Sequence, residues 1–251
     1  MPRVLMALWV GLGVAAVAPT EVLVSAAISL TDALEELGPM HTASGGATIR
    51  FNFAASNVLA RQIVNGAPAD VFISADEAQM QVAEKAGAVI GSTRVDLLGN
   101  RLAVLATASL AGRIKDARSL LQPDVRRIAI ADPDAVPAGV YARQYLQAAR
   151  VWDEARTRVV PVGNVRAAVA AVDGGNVQAA VVYESDATTA RNAVLAFVVS
   201  GPEAPKIVYP AAIVTASQHR ADAERFLQFL RSARAREVFT KHRFVPLGGF
   251  D

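Results

Sequence analysis

"FNFAASNVLARQIVNGAPADVFISAD", residues 51–76, reads as a strand, a helix, a turn and a second strand in unbroken succession. A strand-like run covers 48–53, a helix opens with Ser56 or Asn57 at its N-cap, and a second run covers 70–74 before Asp76 and Glu77 open another helix. Outward from this stretch the alternation continues, with strands near 22–27, 102–106, 127–131, 158–162, 179–183, 194–199 and 207–214. Between them Leu30, Ala33, Leu34 and Leu37 recur at helical spacing, as do Val165, Ala168, Val169 and Val172. Ala223, Phe226, Leu227 and Leu230 form a further apolar stripe near the C-terminus, and all three stripes read as core-facing. Such alternation marks an α/β fold with largely parallel sheets.

At 251 residues, 53% hydrophobic and 19% charged, the chain can bury a large core as one domain or two small lobes. A formal charge of +2 gives no support to a nucleic-acid partner, and Arg231, Arg234 and Arg236 read as a solvated helix face. With no cysteine, disulfides, thiolate metal sites and cysteine nucleophiles are excluded together. Arg3 precedes an apolar run over 4–18 that ends in small residues, the pattern of an export signal over residues 1–20. That run is shorter than the roughly 20 residues a membrane-spanning helix requires.

No Pro-, Gly- or Ser-rich linker splits the chain, so two lobes would have to share strands. "LLGNRLAVLAT" at 97–107 and "KIVYPAAIVTA" at 206–216 bracket a central block of about 100 residues. They predict a crossing from one lobe to the other and back, with 21–99 and 207–251 forming lobe I, 100–206 forming lobe II, and a cleft between them.

The functional signal lies where strands hand over to helices. "VSAAISLTDAL" (24–34) starts a helix at Ser29, with Asp32 placed as in an S-x-x-D cap, and Ser56 or Asn57 occupies the N-cap of the next. "ADPDAVPAGVYARQYL" (131–146) places Pro137 in a first helical turn followed by Ala138 and Gly139 without bulk. "VGNVRAAVAAV" (162–172) offers Asn164 as N-cap with Val165 just inside. Each helix start leaves backbone N–H groups free and presents a positive dipole end, so four of them together could surround an anion. Charge is scarce at these turns, leaving small residues, hydroxyls and N–H donors for the task. Asp70 reads as a turn or strand-start residue, Asp76 as a helix-start residue, and Asp132 with Asp134 as a DP turn.

In these segments, and in "LLGNRLAVLA", "AAVVYESDA" (179–187) and the terminal "FTKHRF", the chain resembles the periplasmic molybdate-binding proteins of ABC importers from about residue 21 onward. The resemblance implies a two-lobed class II periplasmic-binding-protein fold, with mixed, mostly parallel sheets flanked by helices, closing over molybdate or tungstate. It implies no metal cofactor, a monomer, delivery to ABC permease subunits and no catalysis. Carried onto this sequence, Ser29 and Ser56 donate from side chain and backbone, Ala138 and Val165 from backbone N–H groups, and Tyr183 from its hydroxyl. Three departures stand out: Ile28 is bulkier than usual, Asn57 and Val58 replace hydroxyl residues, and Pro39 should end or kink the first helix.

Other readings compete. The three histidines, His41, His219 and His242, lack metal-ligand spacing, and no G-x-S-x-G elbow or phosphate-binding glycine loop supports an enzyme. Sulfate, phosphate or another oxyanion would fit the same fold; a donor-only site disfavours phosphate, which keeps a proton, and must exclude sulfate by size. A sensing module on the same fold would need a different location from an exported protein.

Overall fold

A computed structural model describes residues 20–248; the expected export signal lies outside the described residues. The chain opens with β1 (Glu21–Ala27), a single 3-10 turn (Ile28–Leu30), α1 (Thr31–Ala43), β2 (Thr48–Ala54), α2 (Ser56–Val64), β3 (Val71–Ile73) and α3 (Glu77–Lys85). Next come β4 (Val95–Asn100), β5 (Leu102–Ala106), β6 (Ile128–Ala131), α4 (Pro137–Ala148), α5 (Trp152–Ala155) and β7 (Val159–Val162). The remainder is α6 (Val165–Asp173), β8 (Ala179–Tyr183), α7 (Glu184–Ala187), β9 (Val194–Val198), β10 (Ile207–Ile213), α8 (Arg220–Leu230), α9 (Ala233–Lys241) and β11 (Val245–Pro246).

These strands form two sheets, ordered β11-β4-β10-β3-β1-β2 and β7-β6-β8-β5-β9. Sheet membership changes at Arg101, the lone residue between β4 and β5, and changes back between β9 and β10. The two crossings lie side by side, because β4 and β10 pair antiparallel with Ile207 opposite Asn100. Strand pairing is more evenly mixed than the sequence suggests. β2, β1 and β3 run parallel, as do β7, β6 and β8, whereas the crossing strands join antiparallel. A crossing strand returns at once into the neighbouring sheet without an intervening helix, and so enters against the prevailing direction.

Burial follows from this topology. β8 and β10 are buried along their whole lengths, which explains their continuous apolar reading without alternation. A core cluster runs through both sheets, and a smaller one around Leu59, Phe72 and Met80 lies beneath α2 and α3. Asp70 ties β1 to β3 by accepting from the Leu23 N–H at 2.8 Å and from the Ser217 hydroxyl at 2.6 Å, which is a structural role. Asp76 caps α3 by accepting from the Gln79 N–H at 2.9 Å. Asp132 accepts from the Asp134 N–H, closing the turn before α4, and Asp134 pairs with Arg143.

Pro39 neither ends α1 nor marks its boundary, since the helix continues to Ala43. The proline sits on the exposed face, where the carbonyl it leaves without an N–H partner faces water. Each histidine has a local role: His41 packs between Phe226 and Phe229, His219 faces Asp70 at 3.4 Å, and His242 meets Glu36 at 2.9 Å. Among the described residues, no helix is long and apolar enough to cross a membrane.

Candidate functional site

Four of the parallel strands end at one place. β1 and β2 of one sheet, and β6 and β7 of the other, each hand over to a turn or helix at their carboxyl ends, where α/β sheets hold ligands. The cleft between them spans about 220 Å³, open solvent included, and is lined by Ser29, Ser56, Ala138, Val165 and Tyr183 together with Asn164 and apolar neighbours, Ile28 among them. All five predicted donors therefore meet. The volume lies below the roughly 300–1,000 Å³ of sites for organic ligands, so only something small fits.

The six-stranded side contributes two hydroxyls. Neither acts as the helix cap the sequence predicts. Ser29 lies in the 3-10 turn before α1; Leu30 holds the N-cap position, and the Ser29 hydroxyl meets that of Tyr209 at 3.0 Å. Asp32 makes no capping box with it and turns outward to a different partner. Ser56 is already the first helical residue of α2, because Ala55 takes the N-cap conformation. Its oxygen accepts from the Ala75 N–H at 2.9 Å. A backbone N–H can only donate, so the Ser56 hydrogen is left to point elsewhere. With no side chain capping α2, the first N–H groups of that helix also stay open.

The five-stranded side contributes backbone. Pro137 occupies the first turn of α4, which has no side-chain cap, leaving the Ala138 N–H without an intrahelical partner. Gly139 permits this placement: a Cβ there would stand 2.1 Å from the Ala131 carbonyl oxygen and 2.3 Å from that of Asp132. The helix start is thus pressed directly onto the end of β6. Asn164 caps α6 as predicted, accepting from the Ala167 N–H at 2.9 Å and leaving the Val165 N–H free.

Tyr183 completes the ring at the end of β8. It is 1% exposed, and its hydroxyl has no hydrogen-bond partner among the described residues. Burial holds the phenol well above its ordinary pKa, with Tyr209 and Tyr141 adding to the effect, so it keeps its proton and remains a donor. Leaving such a group unsatisfied costs on the order of 1–3 kcal/mol, which a hydrogen-bond acceptor placed in the cleft would recover.

No charged side chain lines the cleft among the described residues. One set of charges close by is paired within itself. Arg166, following Val165, reaches Asp186 of its own side and Asp32 of the opposite side, both at 2.5 Å. Asp186 is fully buried; desolvation raises its pKa against the lowering pull of Arg166. Arg166 is thereby balanced by carboxylates, and the cleft itself offers hydrogen-bond donors. Sequence reasoning missed the Arg166 to Asp32 pair, Tyr209 and the close contact at Gly139. Asp32 carried a signal, an acidic residue at a helix start, but capping explained it equally well.

The family model for bacterial extracellular solute-binding proteins matches residues 22–245. The molybdate-binding protein ModA of Escherichia coli is 34% identical over 231 residues, covering 90% of this chain and 89% of that protein. The periplasmic molybdate-binding protein of Azotobacter vinelandii superposes with a TM-score of 0.79 at 24% identity, covering 90% and 100% of the two chains. The sulfate-binding protein SubI of Mycobacterium tuberculosis gives the same TM-score, 0.79, at 21% identity, covering 91% of this chain and 87% of that one. One fold thus serves proteins named for two different oxyanions. The chain belongs to the bacterial extracellular solute-binding proteins.

Proposed function

We propose that this chain is an exported periplasmic binding protein that captures a small, fully ionised tetrahedral oxyanion, molybdate or tungstate, and delivers it to the permease subunits of an ABC importer. The observation that carries the reading is a small cleft lined by hydroxyls and open N–H groups, in which, among the described residues, no charged side chain stands and the Tyr183 hydroxyl is buried without a partner. A dianion accepts at every oxygen and has nothing to donate, so it matches such a lining. The names of the E. coli and A. vinelandii relatives support molybdate in particular.

In this reading the protein works as a monomer without cofactor or catalysis, and the anion is its cargo. Residues 21–99 with 207–251 form one lobe and 100–206 the other. Ser29 and Ser56 hold the anion from the first lobe; Ala138, Val165 and Tyr183 hold it from the second. Closing desolvates the anion and shifts the population toward one compact state that a permease can recognise. The Arg166 to Asp32 pair joins the two lobes.

Calorimetric titration of the purified protein with molybdate, tungstate, sulfate and phosphate tests the reading. Tight one-to-one binding of molybdate and tungstate with weak sulfate and phosphate is the expected result. Tight sulfate binding would keep the mechanism and overturn the cargo; binding of none would overturn both.

A further inference from the structure

The Ser29 hydroxyl can either donate or accept, and only the donating orientation suits a fully ionised oxyanion. For Ser56 the Ala75 N–H settles the matter. For Ser29 a longer chain of bonds settles it. Asn100, the last residue of β4, accepts from the Arg101 N–H at its Oδ1 at 2.8 Å. That bond fixes the orientation of the amide, because the NH2 group cannot accept from an N–H. Nδ2 therefore faces the Ser185 hydroxyl at 2.9 Å and the Tyr209 hydroxyl at 3.2 Å, donating to both. Tyr209 is fully buried, and its hydroxyl meets two partners among the described residues, Asn100 and Ser29. Since the amide nitrogen cannot accept, the phenol hydrogen goes to Ser29 Oγ. A buried hydroxyl hydrogen aimed at nothing is what native structures avoid.

We propose that Tyr209 and Asn100 are positioning residues that fix Ser29 as a hydrogen-bond donor toward the oxyanion, and so make the cleft reject oxyanions that still carry a proton. This inference rests on the oxyanion reading above. Ser29, Tyr209 and Asn100 belong to the strands of one sheet or to the turn that follows β1. The polarity is consequently set before the anion arrives and does not depend on closure. With Tyr209→Phe, Ser29 Oγ becomes free to rotate and accept from a protonated oxyanion. With Asn100→Asp, the carboxylate accepts from Tyr209 and draws the phenol hydrogen away from Ser29, which weakens the donor further.

The test measures molybdate affinity by calorimetry and phosphate affinity by competition at pH 7.5, for wild type, Tyr209→Phe, Ser29→Ala and the double variant, each checked for folding by circular dichroism. In Tyr209→Phe the molybdate-to-phosphate ratio should narrow roughly tenfold, about 1.4 kcal/mol. In the Ser29→Ala background the same tyrosine change should leave the ratio where it was. Asn100→Asp narrows the ratio in the same direction and serves as the test if Tyr209→Phe does not fold. Equal losses for both anions, or a ratio change that persists without the Ser29 hydroxyl, would reduce Tyr209 and Asn100 to packing residues. If wild type binds molybdate tightly and the ratio does not move, this proposal alone falls. If wild type binds neither molybdate nor tungstate, the oxyanion reading falls and takes the proposal with it.

Discussion

The two sides of the cleft offer the same chemistry by different means. On the six-stranded side the polar side chains are hydroxyls, Ser29 meeting the Tyr209 hydroxyl and Ser56 accepting from the Ala75 N–H. On the five-stranded side the lining offers backbone N–H groups at the starts of α4 and α6, aimed by packing and by the Asn164 cap, with Tyr183 adding a hydroxyl. Hydroxyls can be removed one atom at a time, so substitutions there read the strength of individual bonds. Backbone donors can be moved only by moving a helix, so substitutions on that side read geometry.

The largest effect should come from disturbing that geometry. Gly139→Val forces α4 away from β6, because its Cβ would stand 2.1 Å from the Ala131 carbonyl oxygen. We expect loss of measurable molybdate binding together with about 1–3 kcal/mol of stability, read by calorimetry and denaturant unfolding. Gly163→Ala, with open space around its added Cβ, should change neither quantity. Equal behaviour of the two variants would break the claim that the close approach of α4 to β6 sets the geometry of this side.

Tyr183→Phe and Ser29→Ala should each weaken molybdate binding by about 1–3 kcal/mol, roughly ten- to hundredfold. The stability of Tyr183→Phe should diverge from that of Ser56→Ala. Tyr183→Phe removes a buried hydroxyl that has no partner among the described residues, so the ligand-free protein should be as stable as wild type or more so. Ser56→Ala strips the Ala75 N–H of its acceptor and should cost about 1 kcal/mol of stability besides its affinity loss. Thermal melts without ligand separate the two outcomes.

Asn164→Ala should cost about 1 kcal/mol of stability through loss of the α6 cap, with a smaller loss of affinity as the Val165 N–H loosens. Smallest of all is Asp32→Asn. The carboxylate is 43% exposed, so water screens its pairing with Arg166, and the bridge is worth at most about 1 kcal/mol. Stopped-flow kinetics should show molybdate release faster by a few-fold at low salt, with the difference shrinking as ionic strength rises.

The α/β alternation was legible because parallel strands buried on both faces stand out as β-branched runs between helical stripes. The crossing at 97–107 was legible because β4 and β5 are separated by Arg101 alone. Ser29, Ser56, Ala138 and Val165 stood out as helix starts with small residues and Tyr183 only through the family resemblance; the structure brings all five to one cleft. What escaped was long-range. Ser29 and Tyr209 stand 180 positions apart, Asp32 and Arg166 134, and no local periodicity reports such pairings. The capping role given to Ser29 failed for the same reason: a serine at a helix start satisfies the local rule, while Tyr209, which holds its hydroxyl, lies near the other end of the chain.

A crystal structure of the protein with molybdate, the anion located by molybdenum anomalous scattering, tests the central claim most directly. One anion is expected in the cleft, its oxygens about 2.7–3.1 Å from the hydroxyls of Ser29, Ser56 and Tyr183 and from the N–H groups of Ser56, Ala138 and Val165, with no side-chain cation in contact. An anion held by Arg166, or bound outside the cleft, would contradict it.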